Sequence, residues 1–241
     1  MSLAGKRILV TRPRELAQGL AALVAREGGE PVLFPAIEIR DPEDAAAVRA
    51  LLARAQEFDL AVFVSPSAVR MAFALHAGPW PARLAALGEG TRGELLSRGA
   101  AQVIAPREGT DSEALLALPQ MRALAGKRIL IVRGAGGREL LGESLAARGA
   151  RVAFAECYRR ARPAAGAGPA GALDGVCVSS GEALENLVAL LGPERLRGVP
   201  LFVPHERVAR LAHGLGFEPV LAGPGDAQML ARMVAYFDGA K

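Results

Sequence analysis

The feature that most constrains the fold is a short stretch that the chain contains twice. Residues 5–20, GKRILVTRPRELAQGL, and residues 126–141, GKRILIVRGAGGRELL, agree at seven of sixteen positions without a gap. Each copy begins with a short apolar run rich in β-branched residues, and a stretch of helical spacing follows that ends near glycine. Each copy therefore predicts a strand followed by a helix.

The two copies predict the same local topology. The predicted pairs of strand and helix are 7–10 with 15–27, and 128–132 with 138–148. A second apolar run follows each helix, at 31–34 and at 151–155. A β-α-β unit of this kind is right-handed and contributes two strands to a parallel sheet.

The duplication continues beyond these windows. The segment LAVFVSPSAVRMAFAL (60–75) corresponds to DGVCVSSGEALENLVAL (174–190), and two further strand and helix patterns follow each of them. Each half of the chain therefore contains about four alternations, which predicts an α/β fold with internal duplication.

Two segments interrupt the alternation at equivalent points, after the second strand of each half. They are IEIRDPED (37–44) and CYRRARPAAGAGPAGAL (157–173), both rich in proline, glycine, alanine or charge. Such composition is typical of linkers. Linkers in the middle of each repeat indicate that the chain crosses there between two domains, a number that also suits 241 residues.

Composition favours a soluble, cytoplasmic protein without a membrane span or a nucleic-acid partner. Lys6 and Arg7 interrupt the N-terminal apolar stretch, and no run approaches the roughly 20 apolar residues of a membrane span. The net charge is +4, but acidic residues are mixed with basic ones and aromatic residues are only 5%. A solvated surface therefore explains the charge better than nucleic-acid binding does.

Metal, disulfide and common cofactor sites are not expected. Cys157 and Cys177 lack the spacing of a zinc or redox pair, and the three histidines form no cluster. The sequence has no GxSxG, HExxH or Walker-type motif, and Glu139 stands where a dinucleotide fingerprint requires glycine.

Several motifs in order resemble the uroporphyrinogen-III synthase family. They are VTRP (10–13), FPAIEI (34–39), VRGAGGREL (132–140), ECYRR (156–160), VSSGEAL (178–184) and ERVARLAHGLGF (206–217). The resemblance covers the whole chain.

The resemblance implies two similar, flavodoxin-like parallel-sheet domains that face a cleft and are joined by a two-stranded connector. It places residues 1–37 and 164–241 in one domain and residues 38–163 in the other, with hinges near 37–43 and 157–164. The repeated halves are then exchanged between the domains.

The resemblance also implies an activity. The family cyclises hydroxymethylbilane, a linear tetrapyrrole with acetate and propionate groups, and inverts ring D to give uroporphyrinogen III. This is a hydro-lyase reaction without a cofactor, expected here of a monomer that receives substrate from hydroxymethylbilane synthase. Two alternatives remain open at this point: a two-lobed small-molecule binding module without catalysis, and a two-domain transferase for nucleotide-activated substrates.

The candidate site residues lie in turns that join strands to helices, where backbone N–H groups and the helix dipole attract carboxylates. The proposed substrate-binding residues are Thr11, Arg12, Ser65, Ser67, Thr91, Arg133, Gly134, Arg138, Ser179, Ser180 and Arg207. The serines and Thr91 can equally be helix N-caps, and the arginines can equally form ion pairs within the protein. The recurrence of Arg12 and Arg133 at one turn favours carboxylate binding.

Tyr158 is the one predicted catalytic residue. It lies in the second linker, within the CYRR motif, and the resemblance implies that its phenol assists departure of the substrate hydroxyl. The alternative is a packing role.

Overall fold

Strands and helices alternate along the part of the chain, residues 2–239, that this computed structural model describes. The strands are β1 (Arg7–Val10), β2 (Glu30–Leu33), β3 (Glu38–Arg40), β4 (Leu60–Phe63), β5 (Leu84–Ala86), β6 (Val103–Ile104), β7 (Arg128–Gly134), β8 (Arg151–Ala161), β9 (Gly175–Cys177), β10 (Leu201–Val203) and β11 (Pro219–Leu221). The helices are α1 (Arg14–Arg26), α2 (Ala45–Leu52), α3 (Pro66–Leu75), α4 (Glu89–Ser97), α5 (Ser112–Ala117), α6 (Leu140–Ala147), α7 (Gly181–Leu191), α8 (Glu206–Gly214) and α9 (Asp226–Phe237). The predicted α/β class with parallel sheets is confirmed.

The chain forms two compact units. The first unit comprises the chain up to Glu38 and from Ala161 onward, and the second comprises Ile39–Arg160. The sheet of the first unit has the order β11-β10-β9-β1-β2, and its neighbouring strands are parallel. The sheet of the second unit has the order β3-β8-β7-β4-β5-β6, with strands β4 to β8 parallel.

Both predicted β-α-β units are present, with one corrected boundary. The helix predicted from Arg138 begins at Leu140 instead. Arg133 explains the shift, because its Nη1 donates to the carbonyl oxygens of Gly137 (3.3 Å) and Arg138 (3.4 Å) and so holds these peptides in the turn. Gly136 adopts a φ of 69°, which belongs to a turn rather than a helix.

The predicted linkers differ from the structure at their ends. Glu38–Arg40 forms β3, and residues 157–161 continue β8, which lies beside β3 in the sheet. In the first segment, the apolar Ile39 lies between two charged residues, which is a strand-like alternation. In the second, the bulky residues of CYRR favour extended backbone. The remaining residues of the second linker, 162–173, form neither helix nor strand.

Each sheet buries apolar side chains against its helices. In the second unit, Leu130 and Val132 pack with helix α3 on one face, while Ile129 and Ile131 pack with α6 on the other. This alternation within β7 is the pattern of a strand covered on both faces. In the first unit, Ile8, Val10 and the fully buried Phe202 lie in one cluster with α1 and α9.

The repeated sequence GKRIL builds the same contact in both units. Asp174 accepts a hydrogen bond from the Arg7 amide (2.9 Å) and lies 3.2 Å from Lys6 Nζ. Asp59 accepts from the Arg128 amide (2.8 Å) and from Lys127 Nζ (2.9 Å). In each unit an aspartate that precedes the central strand of the sheet thus binds the first residues of its neighbour. The most similar part of the repeat therefore stabilises the sheet. It lies at the amino ends of the strands, whereas ligands usually bind at the carboxyl ends.

These contacts predict an acid-sensitive contribution to stability. The Arg7 amide and then the Lys6 ammonium hold the pKa of Asp174 below its ordinary value. A folded pKa below the unfolded one gives stability that is present above about pH 4 and is lost as the pH falls through the folded pKa. We expect Asp174→Asn to lower the melting temperature at neutral pH. At acidic pH, the melting temperatures of the variant and the wild type should lie closer together. Thermal unfolding across pH checks this, with the exposed Glu218→Gln as control. An unchanged melting temperature at neutral pH would contradict it.

Candidate active site

In the second unit, the order in which successive strands are added to the sheet reverses between β4 and β7. The helix after β4 covers one face of the sheet, and the helix after β7 covers the other. At such a point the loops leaving the two strands diverge, which opens a crevice at their carboxyl ends. Ser65 follows β4 there, and Gly134 ends β7. Two of the sequence-predicted residues of the second unit, Ser65 and Gly134, therefore lie at this edge.

Tyr158 lies at the same edge, on β8, with 3% of its surface exposed. Its phenol oxygen is 3.1 Å from Ser65 Oγ, and its carbonyl accepts a hydrogen bond from the Ala135 amide at 2.8 Å. The ring lies against Gly134, where a Cβ would stand 2.6 Å from two ring carbons. The phenol thus contacts Ser65 through its oxygen and Gly134 through its ring.

Ser65 has one of the two roles considered from the sequence, that of a helix N-cap, and it also contacts Tyr158. Its backbone is extended, and its Oγ accepts a hydrogen bond from the Ala68 amide (3.0 Å), which makes it the N-cap of α3. The same Oγ contacts the phenol of Tyr158. Ser67 and Thr91, in the first turns of α3 and α4, are 8% and 4% exposed.

Arg133 already has carboxylate partners within its unit. Its Nη2 lies 2.9 Å from both Glu139 Oε1 and Glu156 Oε1, and its guanidinium stacks 4.1 Å from the centre of the Phe154 ring. Only 9% of the side chain is exposed. The ion-pair alternative from the sequence therefore describes the contacts of Arg133 in this structure. Arg138 differs, because its side chain is 60% exposed and lies 3.9 Å from Glu113 Oε1.

The candidate residues of the first unit also lie at strand ends. Thr11 is fully buried and donates to the Cys177 carbonyl (2.8 Å), which ties β1 to β9. Arg12 forms an ion pair with Asp226 and donates to the Pro224 carbonyl (3.3 Å). Ser180 caps α7 by accepting from the Ala183 amide at 3.1 Å. Ser179 is half-buried beside it, and Arg207 is exposed in the first turn of α8.

The cysteines offer no reactive thiol to either unit. Cys157 and Cys177 are free and buried, and burial raises the pKa of both thiols to about 12. A thiol with so high a pKa carries almost no thiolate near neutral pH. Within residues 2–239, His, Cys, Asp and Glu form no group of three or more that could hold a metal ion. Over the same residues, each helix is too short or too polar to cross a membrane.

Comparison with known proteins decides the family. A family model described as uroporphyrinogen-III synthase HemD matches residues 18–230. The chain belongs to the uroporphyrinogen-III synthase family. The resemblance recognised in the sequence motifs is thereby confirmed.

Relatives of this synthase family match almost end to end. The chain is 37% identical to uroporphyrinogen-III synthase of Salmonella typhimurium over 242 residues, which covers 93% of this chain and 98% of the relative. It is 36% identical to the Escherichia coli protein of the same name, with the same coverage.

Solved synthase structures share the fold at low sequence identity. A mutant uroporphyrinogen III synthase from the extremely thermophilic bacterium Thermus thermophilus has a TM-score of 0.60 at 17% identity and covers 96% of this chain and 97% of its own. The uroporphyrinogen-III synthetase from Helicobacter pylori has a TM-score of 0.60 at 13% identity, with 96% and 99% covered.

Proposed function

We propose that this chain cyclises hydroxymethylbilane to uroporphyrinogen III and inverts ring D as the macrocycle closes. The observation that carries this function is the match to uroporphyrinogen-III synthases over 93% of the chain and 98% of the relatives. The contact between Ser65 and the Tyr158 phenol supports it, because a hydrogen-bond donor near the leaving hydroxyl would speed its departure.

In the proposed reaction, the terminal hydroxyl of the substrate leaves as water and an electrophilic azafulvene remains. The substituted carbon of ring D attacks this centre, and the spiro intermediate fragments and recloses with ring D inverted. Closure without enzyme proceeds without inversion, so the protein must select one geometry. Holding both ends of the substrate can supply up to ~7–11 kcal/mol of the barrier, without any cofactor.

The substrate carboxylates are proposed to bind at the helix starts that follow the strands. Helices α3, α4, α7 and α8 each begin just after a strand, where unpaired amides and the dipole favour anions. Among the predicted residues, Arg138 and Arg207 have the most accessible cationic groups. Arg12 and Arg133 lie at the same turns, and their internal ion pairs fix the turns beside the bound carboxylates.

The two units are proposed to be duplicated, flavodoxin-like domains with exchanged halves. Their sheets have corresponding orders, β2-β1-β9-β10-β11 and β8-β7-β4-β5-β6, and each repeated GKRIL opens the strand that holds the same place in its sheet. The order 2-1-3-4-5 is that of flavodoxin. On this proposal the domains are 1–37 with 164–241, and 38–163, and the chain crosses between them along β3 and β8.

The protein is further proposed to act as a cytoplasmic monomer that receives its substrate from hydroxymethylbilane synthase. Free hydroxymethylbilane closes by itself to the wrong isomer, so direct transfer would limit that loss.

The product isomer tests the function. Freshly generated hydroxymethylbilane incubated with the protein should give the inverted isomer in place of the non-inverted one. A binding module would bind the tetrapyrrole and leave the isomer ratio unchanged. A transferase for nucleotide-activated substrates would instead be stabilised by nucleotides in thermal unfolding.

Arg138 allows a specific test of carboxylate binding. If its guanidinium binds a substrate carboxylate, Arg138→Ala should weaken substrate affinity by about 1–3 kcal/mol, because a charge-assisted hydrogen bond is lost, and leave the isomer unchanged. Glu113→Ala is the matched control, since it removes the residue 3.9 Å away while sparing the cation. Initial rates against substrate concentration measure both. Equal effects of the two variants would assign Arg138 to the ion pair.

A further inference from the structure

Strand β8 contains a bulge just before Tyr158. In the pairing of β7 with β8, Arg133 lies opposite Glu156 and Gly134 lies opposite Tyr158, so Cys157 is an extra residue in the ladder. A bulge of this kind changes the direction in which the following side chain points, and bulges occur often beside active sites.

The bulge determines which face of the sheet Tyr158 joins. Along β8, Phe154 packs on the face covered by α6, while Ala155 and Cys157 pack on the face covered by α3. Regular alternation would send Tyr158 to the face of Phe154. It lies instead with Cys157, on the face of α3. The extra residue thus brings the phenol to the side of the sheet on which Ser65 caps α3.

Gly134 leaves the space that the ring occupies. A Cβ at this position would stand 2.6 Å from two ring carbons and 3.0 Å from the phenol oxygen. A side chain there would displace the ring, so the ring can take this position only because residue 134 is a glycine.

Ser65 can form a hydrogen bond with the phenol of Tyr158 either as the donor or as the acceptor. A serine hydroxyl has one hydrogen to donate and two lone pairs to accept with. The Ala68 amide occupies one lone pair of Ser65 Oγ, at 3.0 Å, and this amide belongs to the first turn of α3. The hydroxyl hydrogen and the second lone pair of Ser65 remain for the phenol oxygen 3.1 Å away, so either hydroxyl can be the donor in this contact.

We propose that Ser65 is a positioning residue for Tyr158: it donates its hydroxyl hydrogen to the phenol oxygen, so that the phenol proton is presented to the leaving hydroxyl of the substrate. This inference rests on the proposed function. The C–O bond of the hydroxymethyl group breaks, driven by the pyrrole electrons, and the phenol proton joins the departing oxygen to form water. The phenolate keeps the hydrogen bond from Ser65. The proton released as the macrocycle closes restores the phenol.

A double-mutant cycle with Tyr158→Phe tests this role. We expect Ser65→Ala to lower kcat about tenfold, the size of one net hydrogen bond, with KM unchanged. It should have no further effect in the Tyr158→Phe background, whereas Ser65→Thr should retain most of the wild-type kcat. The cap control is Asp44→Ala, since Asp44 caps α2 through the Ala47 amide (2.8 Å) and lies outside the site. An equal loss in both backgrounds, or a change in KM alone, would overturn the proposal.

A spectroscopic measurement tests the proposed hydrogen bond between Ser65 and Tyr158 without measuring activity. Tyr158 and Tyr236 are the two tyrosines of the chain, so Tyr236→Phe leaves one phenol to observe. The Raman ring doublet of tyrosine reports whether its phenol donates or accepts a hydrogen bond. We expect the acceptor signature in Tyr236→Phe and its loss when Ser65→Ala is added. An identical doublet in the two variants would overturn the proposal whatever the protein catalyses, while failure of the isomer assay alone would overturn only the function.

Discussion

Truncating Phe202 to alanine should lower the stability of the first unit by about 3–5 kcal/mol, the range for removing a buried aromatic ring. Phe202 has no exposed surface, and its ring packs 5.6 Å from the ring of Tyr236 and 6.1 Å from that of Phe237. The loss is a large fraction of the roughly 5–15 kcal/mol that stabilises a typical folded protein. We therefore expect partial unfolding of this unit near physiological temperature.

Hydrogen exchange shows which strands lose protection when stability is reduced. If the units are separate domains, Phe202→Ala should reduce protection in β1 and in β9 to β11, and leave the strands of the second unit protected. Phe63→Ala is the matched variant, because Phe63 is equally buried in the second unit, 5.1 Å from the Trp80 ring. Its effect should be confined to β4, β5 and β7. Equal loss of protection across both units in either variant would contradict the division into independent domains.

The elements that the sequence predicted well are those with strong local signals. The strand at Arg7–Val10 has the predicted bounds, and α1 begins and ends within one residue of the prediction. An apolar run predicts the strand, helical spacing predicts the helix, and a glycine predicts where the helix ends. These signals suffice to locate both elements here, because each depends only on neighbouring residues. The family was likewise recognisable, because its motifs are short and lie in order along the chain.

The start of α6 was predicted wrongly because a side chain outside the pattern determines it. The periodic residues around Arg138 are compatible with helix, but Arg133 binds the carbonyl oxygens of Gly137 and Arg138 and keeps them out of it. The end of β8 was assigned to a linker for a related reason. Pairing with a neighbouring strand decides whether such a segment is extended, and its own composition does not.

The partners within the site were beyond sequence reasoning. Ser65 and Tyr158 are separated by 93 residues and meet only because β4, β7 and β8 are neighbours in one sheet. Glu156 reaches Arg133 through strand register, and Asp226 reaches Arg12 from the last helix. The one local signal was Glu139, six residues after Arg133 in the same turn. Spacing in the sequence identified the turns correctly but could not identify which charges pair within them.

Tyr158→Phe should slow the reaction without changing its product. The substitution removes the phenol oxygen and keeps the ring that lies against Gly134, so the fold of β8 is expected to persist. General acid catalysis contributes about 10²–10⁴-fold. We expect a loss at or below the lower end of this range, because the substrate hydroxyl departs slowly without help and nearby backbone amides can share the donor role.

The isomer formed by the Tyr158→Phe variant shows whether the phenol only speeds departure of the hydroxyl or also determines which isomer forms. If substrate positioning determines the inversion, the slower variant should still give uroporphyrinogen III, since the groups that hold the two ends of the tetrapyrrole are untouched. Single-turnover rates and product analysis at several enzyme concentrations check this, because spontaneous closure competes with a slow enzyme and must be subtracted. Circular dichroism supplies the control for folding. Complete inactivation of a folded Tyr158→Phe protein would contradict the view that geometry dominates, since it would make one proton donor indispensable to a reaction whose first step occurs unaided.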